Sequence, residues 1–464
     1  MRSAERRGPP SPQLVLVVMC VGYFLVLLDV TVVNVALPRI GSGLDAGVSD
    51  LQWMIDGYAI ALASLMLAAG TLGDLRGHKR VVLWGFAVLG VASLGRGLAP
   101  GTALLIGCRV LQGVGAALLL PGTLAVIAHA FPEPGARARA IGLWAGIGSA
   151  ALAAGPLLGG ALVQGIGWRA VFFVNIPVVI VAGMVAVRVV AESIGAQDRR
   201  LDIAGVLLGP ALLAVLTFAF IEAGHGGVRP PVLAAIALAA GLLGAFLRVE
   251  GRARDPMLPL GLFRHADFST SNAVAATMNL ASLGLIFVLT LFLQRVRSLP
   301  ALEAGVTVLP LFTPLGLLAP LAGRLTARTG ARLPMTIGLL TAAAGIALLV
   351  LVDERSGELT LVPAMLLWGV GLAILTPAVV AAAVGAVPAG LASAVNNTAR
   401  QAGGAIGIAA FGALAGQPGS GGFISGFHTA AAIGAVLYTA AAIATITVPR
   451  VGGVGRGPRS PSGR

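Results

Sequence analysis

GVGAALLLP, residues 113–121, returns 256 positions later as GVGLAILTP, residues 369–377. Phe131-Pro132 meets Val387-Pro388 at the same offset. GTLGDLRGHK (70–79) returns in weaker form as GRLTARTGAR (323–332), pairing Gly70, Leu72, Gly77 and Lys79 with Gly323, Leu325, Gly330 and Arg332. Two matches at nearly one spacing point to a duplicated unit. What that unit is follows from composition. The chain is 57% hydrophobic and 11% charged over 464 residues, with a mean hydropathy of +0.94, whereas soluble domains sit nearer half apolar and a quarter charged. The excess falls in fourteen blocks starting near residues 14, 51, 81, 102, 139, 170, 203, 231, 269, 304, 333, 359, 393 and 427. Each is roughly 20 residues, the length at which a helix crosses about 30 Å of hydrocarbon. The first matched pair then lies on spans 4 and 12, the second on the turns after spans 2 and 10. Both are displaced by eight spans.

The arrangement this predicts is an all-α integral membrane protein with 14 transmembrane helices, in two six-helix bundles plus two inserted helices. A tail covers 1–13, the first bundle 14–190, the inserted spans 7 and 8 with their loop 191–250, and the second bundle 251–448. A basic tail expected to be unstructured covers 449–464. Two like bundles around a central site are the logic of alternating-access carriers. The 65 glycines suit close helix approach in lipid.

Charge orients the chain. With the N-terminus in the cytoplasm, the segments on that side hold Arg2, Arg6, Arg7, Arg76, Lys79, Arg80, Arg137, Arg139, Arg188, Arg199, Arg200, Arg248, Arg252, Arg254, Arg264, Arg324, Arg328, Arg332 and the arginines of the C-terminal tail. The opposite side receives Arg39, Arg96, Arg169, Arg229, Arg295, Arg297 and Arg355. A roughly threefold excess places both termini in the cytoplasm and the chain in the cytoplasmic (inner) membrane. The net charge of +13 thereby reads as topology, not as a nucleic-acid footprint; the lipid bilayer is the partner it implies.

Several classes fall away. Cys20 and Cys108 both lie in apolar blocks and give no disulfide framework. Lys79, the single lysine, stands between His78 and Arg80, so no phosphate loop and no bound nucleotide is expected. Five histidines form no HExxH and no metal cluster. No nucleophile–base constellation suggests an enzyme. Work on a solute would draw on an ion gradient, with no cofactor.

Against this background LLDVTVVNVALP (27–38) is unusual, because it places Asp29 and Asn34 in an apolar run. At 1.5 Å per residue, Asp29 lies roughly 12 Å below the expected outer end of span 1. Asp56, in LQWMIDGYAI, lies roughly 8 Å into span 2, and Arg109, in LLIGCRVLQG, roughly 10 Å into span 4. Isolated charges at that depth cost several kcal/mol each, so they should face a cavity or one another. Asp29 with Arg109 is the expected pair; Asp56, shallower, could instead reach the interface. Such a pair reads either as a permanent lock between helices or as a proton carrier. Burial favours a neutral carboxyl and a neighbouring arginine a charged one. An arginine that approaches in one conformation and withdraws in another would therefore load and unload a proton. The offset carries Arg109 onto Met365 and Asp74 onto Ala327, so charge chemistry belongs to the first bundle. Asn272, Asn279, Asn396, Asn397, Arg400 and Gln401 are the polar exceptions of the second, with Arg400 near the cytoplasmic end of span 13, where it could snorkel.

Taken in order, these residues resemble a known family: the fourteen-helix drug:proton antiporters of the major facilitator superfamily. LLDVTVVNVALP resembles its helix 1 signature, GTLGDLRGHKR the superfamily's loop 2–3 signature, and RVLQGVGAALLLPG the helix 4 signature with Arg109, Gln112 and Gly113. AAGPLLGG, with Gly155, Pro156, Gly159 and Gly160, resembles the helix 5 antiporter signature; WRAVFFVNIP (168–177) and DPMLPLGLF (255–263) are also typical. The resemblance implies the major facilitator fold and proton coupling through Asp29 and Arg109; Asp56 joins them as a proton-coupling candidate on its depth alone. It also implies a conformational gate at Gly70, Asp74, Gly77, Lys79 and Arg80, with Asp74 set against the N-terminus of span 13. Polar cavity candidates are Asn34, Asn272, Asn279 and Asn396. Two departures stand out: Leu75 follows the loop carboxylate where the family has arginine, and His78 replaces another. The expected activity is proton-coupled export of lipophilic or cationic small molecules by a monomer. The alternative is dedicated export of one metabolite, such as a self-made antibiotic, a siderophore or an amino acid.

Overall fold

A computed structural model describes residues 11–192, 202–253, 256, 258–386 and 389–447. The tail arginines named above, Arg199, Arg200, Arg254 and Val387-Pro388 lie outside the described residues. Everything regular among them is helical: α1 (Pro12–Leu44), α2 (Val48–Arg76), α3 (His78–Gly97), α4 (Thr102–Ala130), α5 (Pro134–Gly165), the short α6 (Ala170–Phe173) running on into α7 (Asn175–Val189), α8 (Ile203–Gly226), α9 (Pro230–Glu250), α10 (Ala266–Leu291), α11 (Ala301–Thr329), α12 (Arg332–Leu348), α13 (Glu358–Ala386), α14 (Ala389–Ala415) and α15 (Phe423–Thr447). Twelve of them are long and apolar enough to cross a membrane, and α2, bent by 50° near Leu67, makes thirteen. The helix at the thirteenth expected span, α14, is not among them: Asn396, Asn397, Arg400 and Gln401 dilute its apolar run. It sits inside the protein all the same, packed on α10 and α2.

Helices α1–α7 form one bundle and α10–α15 the other, with α8 laid along the seam where α2 meets α14 and α9 packed on α8. The duplication is visible in how helices touch. A Cβ on Gly113 of α4 would lie 2.5 Å from the Tyr58 carbonyl oxygen of α2, and one on Gly369 of α13 would meet the Leu311 carbonyl of α11. Gly115 meets Gly85 of α3 as Gly371 meets Gly338 of α12. The turns agree as well: Gly77 after α2 has φ 91° and Gly330 after α11 has φ 80°, a left-handed backbone that glycine adopts without a Cβ penalty. Across the seam α5 packs on α11 and α14 on α2.

Two lengths differ from expectation. α1 continues through Pro38 to Leu44, so Asp29 lies near its middle and not about eight residues from its end. α3 includes Arg96 in its last turn, where the charge count had put this residue in an outer loop.

Candidate functional site

Asp29 is 1% exposed, and both its oxygens accept hydrogen bonds. Oδ1 takes one from Arg96 Nη2 at 2.9 Å and one from Gln112 Nε2 at 2.9 Å. Oδ2 takes one from Arg109 Nη1. All three partners are donors, so the arrangement suits an acceptor-only, ionised carboxylate. Arg109 is itself oriented twice more, donating from Nε to the Met54 carbonyl at 2.6 Å and from Nη1 to Gln112 Oε1 at 2.8 Å. Its guanidinium lies 4.4 Å over the Tyr58 ring, and that of Arg96 4.1 Å over the Phe172 ring. Four helices of the first bundle thus converge on one carboxylate, and α6 closes the cluster with Phe172. The expected Asp29–Arg109 pair is present, with Gln112 spanning both.

Arg96 is the partner that sequence reasoning missed. It is fully buried, and its Nε and Nη1 have no hydrogen-bond partner among the described residues. It turns inward because the end of α3 is held tight: a Cβ on Gly95 would lie 2.5 Å from Cys108 Sγ, and Gly97 abuts Phe173. The signal available was spacing from the end of a span. A cation is favourable in the last turn of a helix whether it points in or out, so spacing alone could not choose.

For Asp56 the structure decides between the interior and the interface. It does not reach the interface: it is 0% exposed and neither oxygen has a partner among the described residues. Its neighbours on the same face of α2 show where it points. Gln52, one turn earlier, donates to the Ile408 and Ala409 carbonyls of α14 at 3.4 and 3.2 Å, and Ala59 and Ile60, one turn later, pack on Ala405. Asp56 therefore belongs to the seam between the bundles and not to the arginine cluster.

The helix 5 glycines serve two contacts. Gly155 and Gly159 let α5 lie against Thr31 and Val32 of α1, while Gly160 faces Leu302 of α11, and Pro156 carries the carbonyl that Gly305 abuts. Beside them Thr31, Asn34, Pro156, Ile286 and Thr290 line a small cavity between the bundles; Asn34 itself donates to the Val30 carbonyl at 3.0 Å. Asn272 and Asn396 are buried and bonded to each other at 3.3 Å, joining α10 to α14 inside the second bundle. Asn279 lies beside Gly404.

At the α2–α3 turn Asp74 pairs with His78 at 3.4 Å, Lys79 donates to the Val187 carbonyl at 2.8 Å, and Arg80 meets Glu192 at 3.6 Å. Gly70 lies 4.0 Å, measured from an added Cβ, from Pro121. The expected seat of Asp74, at the start of α14, involves residues 387–388, outside the described residues.

The end of the bundles opposite α1's start is sealed across the seam. Gln294 Nε2 donates to the Val35 carbonyl at 3.0 Å and Arg295 Nη2 to that of Pro38 at 2.6 Å, in addition to the Gln52 bonds.

Apolar helices in two like bundles, with a buried carboxylate–arginine cluster inside the first, define a multi-pass membrane carrier. The chain belongs to the Major Facilitator Superfamily, whose family pattern it matches over residues 19–408, and it acts on small-molecule substrates. It is 35% identical over 405 residues to the multidrug resistance protein Stp of Mycobacterium tuberculosis, covering 86% of this chain and 75% of that one. It is 36% identical over 416 residues to the tetracenomycin C resistance and export protein of Streptomyces glaucescens, covering 88% and 76%. In fold it is similar to a bacterial homologue of the human drug peptide transporters, with a TM-score of 0.66 at 13% identity over 94% of this chain and 98% of that one.

Proposed function

We propose that the protein is a proton-coupled antiporter that exports lipophilic or cationic small molecules across the cytoplasmic membrane, as a monomer with both termini in the cytoplasm. The observation that carries this reading is Asp29, buried and held by Arg96, Arg109 and Gln112. A proton arriving on Asp29 cancels the charge both guanidiniums face. Arg109 keeps Met54 and Gln112 as partners; Arg96 keeps only the Phe172 ring. Protonation thus loosens α1 from α3 more than from α4, and α1 is the helix through which Val35 and Pro38 hold the far seal. That links proton binding to opening of the exit.

Asp56 gives the seam a second protonatable group. A buried charge without a partner is costly, so Asp56 is where another proton would be carried while Gln52 holds α2 to α14. The α2–α3 turn, with Asp74, acts as the gate on the opposite side. Energy comes from the proton gradient, roughly 2.3 kcal/mol per 100 mV for each charge moved and about 1.4 kcal/mol per pH unit, with no cofactor. The relative named for export of a single compound favours a second reading, a dedicated exporter of one metabolite, which the same cluster would drive.

The test is transport into proteoliposomes under an imposed pH gradient, scored over a small panel of lipophilic compounds. Wild type accumulates substrate and dissipates the gradient; Asp29→Asn does neither. Full proton-driven transport by Asp29→Asn would refute the coupling role.

A further inference from the structure

The contact that closes the exit comes from an irregular turn. Beyond Leu291, α10 widens over Phe292–Val296 into one π-turn, closed by the Arg297 N–H on the Phe292 carbonyl five residues back, at 2.9 Å. An extra residue in a helical turn re-aims side chains, and such turns are frequent at functional sites. This one is held on both flanks. Phe292 and Leu293 are fully buried, and Phe292 stacks on Phe427 of α15 with centroids 5.3 Å apart. Ser298 follows in the left-handed region at φ 55°, and the Leu299 N–H returns to the Leu293 carbonyl at 3.0 Å. Between those anchors the turn aims Gln294 at the Val35 carbonyl of α1 and Arg295 at that of Pro38. Gly41 completes the seat, since a Cβ there would lie 2.9 Å from Arg295 Nη2. Pro38, inside α1, supplies no N–H to the Asn34 carbonyl and loosens the helical turn that carries Val35.

We propose that the Phe292–Val296 turn is the exit latch, with Gln294 and Arg295 as its positioning residues: they set how strongly the closed exit is favoured and, through α1, how readily Asp29 takes a proton. The second half rests on the proton-coupling reading; the first stands without it. Arg295 is the stronger arm, because a charged donor makes a hydrogen bond roughly twice as strong as a neutral one. Its bond is also the shorter, 2.6 against 3.0 Å. Val35 and Pro38 lie six and nine residues beyond Asp29 on one continuous helix, about 9 and 14 Å along its axis. Linkage fixes the sign. A proton on Asp29 that favours release of the latch requires that release of the latch favour the proton by the same factor. The groups that face Asp29 are Arg96 of α3, Arg109 and Gln112 of α4 and, against Arg109, the Tyr58 ring of α2. A substitution at the latch keeps all four, so a changed proton affinity reports the movement of α1.

The test is labelling from outside, in right-side-out vesicles, with a membrane-impermeant maleimide. The reporter is Thr290→Cys, one turn before Gln294 in the small cavity beneath the seal. The protein also carries Cys108→Ala and keeps the buried Cys20 as a control. With the latch intact, position 290 reacts slowly. Arg295→Met raises its rate about tenfold, the loss of one charge-assisted hydrogen bond. Gln294→Met raises it about threefold, the loss of a neutral one. Arg295→Lys, which keeps a charged donor, restores most of the protection. Arg295→Met also moves the pH of half-maximal proton-driven transport up by about one unit, the tenfold gain in proton affinity that linkage demands. An unchanged rate at position 290, equal effects of Arg295→Met and Arg295→Lys, or labelling of Cys20 in step with position 290 overturns the latch. Faster labelling with an unmoved pH profile overturns its link to Asp29. Asp29→Asn combined with Arg295→Met still labels faster, since the latch opens without the proton, while losing pH-driven transport. Failure of the latch and failure of the proton-coupled reading therefore leave different records.

Discussion

The two bundles share a skeleton and differ in what fills it. In both, a glycine on the fourth helix seats against a carbonyl of the second, at Gly113 and Tyr58 in one and Gly369 and Leu311 in the other. Yet where the first bundle holds Arg109, the second holds Met365, and where the first holds Arg96, the offset of the matched turns carries the position to Leu349; both apolar residues are fully buried. The position expected to answer Asp29, near Gly284, is closed by the backbone of Gly407. Duplication has kept the packing and placed the carboxylate–arginine cluster on one side only. At these positions one bundle is an apolar wall; the other holds a carboxylate that two guanidiniums share.

That asymmetry is most exposed to Asp29→Asn. Transport driven by a gradient of about two pH units should fall to background, a loss on the order of a hundredfold, because each proton not carried forfeits about 1.4 kcal/mol per pH unit of drive. Proteoliposome flux checks it. The mirror-image change is Met365→Arg, which puts a guanidinium into the apolar wall with no acid to meet it. An uncompensated buried charge costs about 3–5 kcal/mol, and thermal unfolding in detergent should show that loss, or no folded protein at all. A folded, fully stable Met365→Arg would mean that the second bundle contains an acceptor or water path and is not the wall described.

Within the charged bundle the two arginines are themselves unequal. Arg109 has three acceptors and Arg96 one. Arg109→Met should therefore cost about 3–5 kcal/mol. Arg96→Met, which leaves Asp29 with Arg109 and Gln112, should cost about 1–3 kcal/mol. Thermal denaturation of the pair reads the order; the reverse order would put Arg96 at the centre of the cluster.

The duplicated skeleton was legible in sequence because glycine has no substitute where backbones touch: GVG at 113–115 and at 369–371 mark the same two contacts. Asp29 was legible because a carboxylate in an apolar run has few permitted surroundings, and Arg109 because its depth matched. Arg96 was not, since the last turn of α3 could face either way and only the packing of Gly95 and Gly97 decides. The placement of Asp56 stayed open for a related reason. Depth along α2 was readable, but the direction of its side chain depends on α14, hundreds of residues later, whose polar residues blur the apolar pattern by which spans are found.

The glycine contacts give the comparison its finest test. At Gly113 and at Gly369 an added methyl meets main chain, which cannot turn aside as a side chain can, so Gly113→Ala and Gly369→Ala should each cost about 1–3 kcal/mol of stability. The two should differ in transport. Gly113 follows Gln112 directly, and moving α4 away from α2 shifts both Gln112 and Arg109 relative to Asp29 and pulls Arg109 from the Met54 carbonyl. Gly369 lies four residues beyond Met365, and moving α13 disturbs no charge. With unfolding temperatures lowered alike, Gly113→Ala should lose several-fold more proton-driven flux per folded molecule than Gly369→Ala. Equal losses would show that the second bundle takes part in coupling through its packing alone, and that the division between wall and switch is drawn in the wrong place.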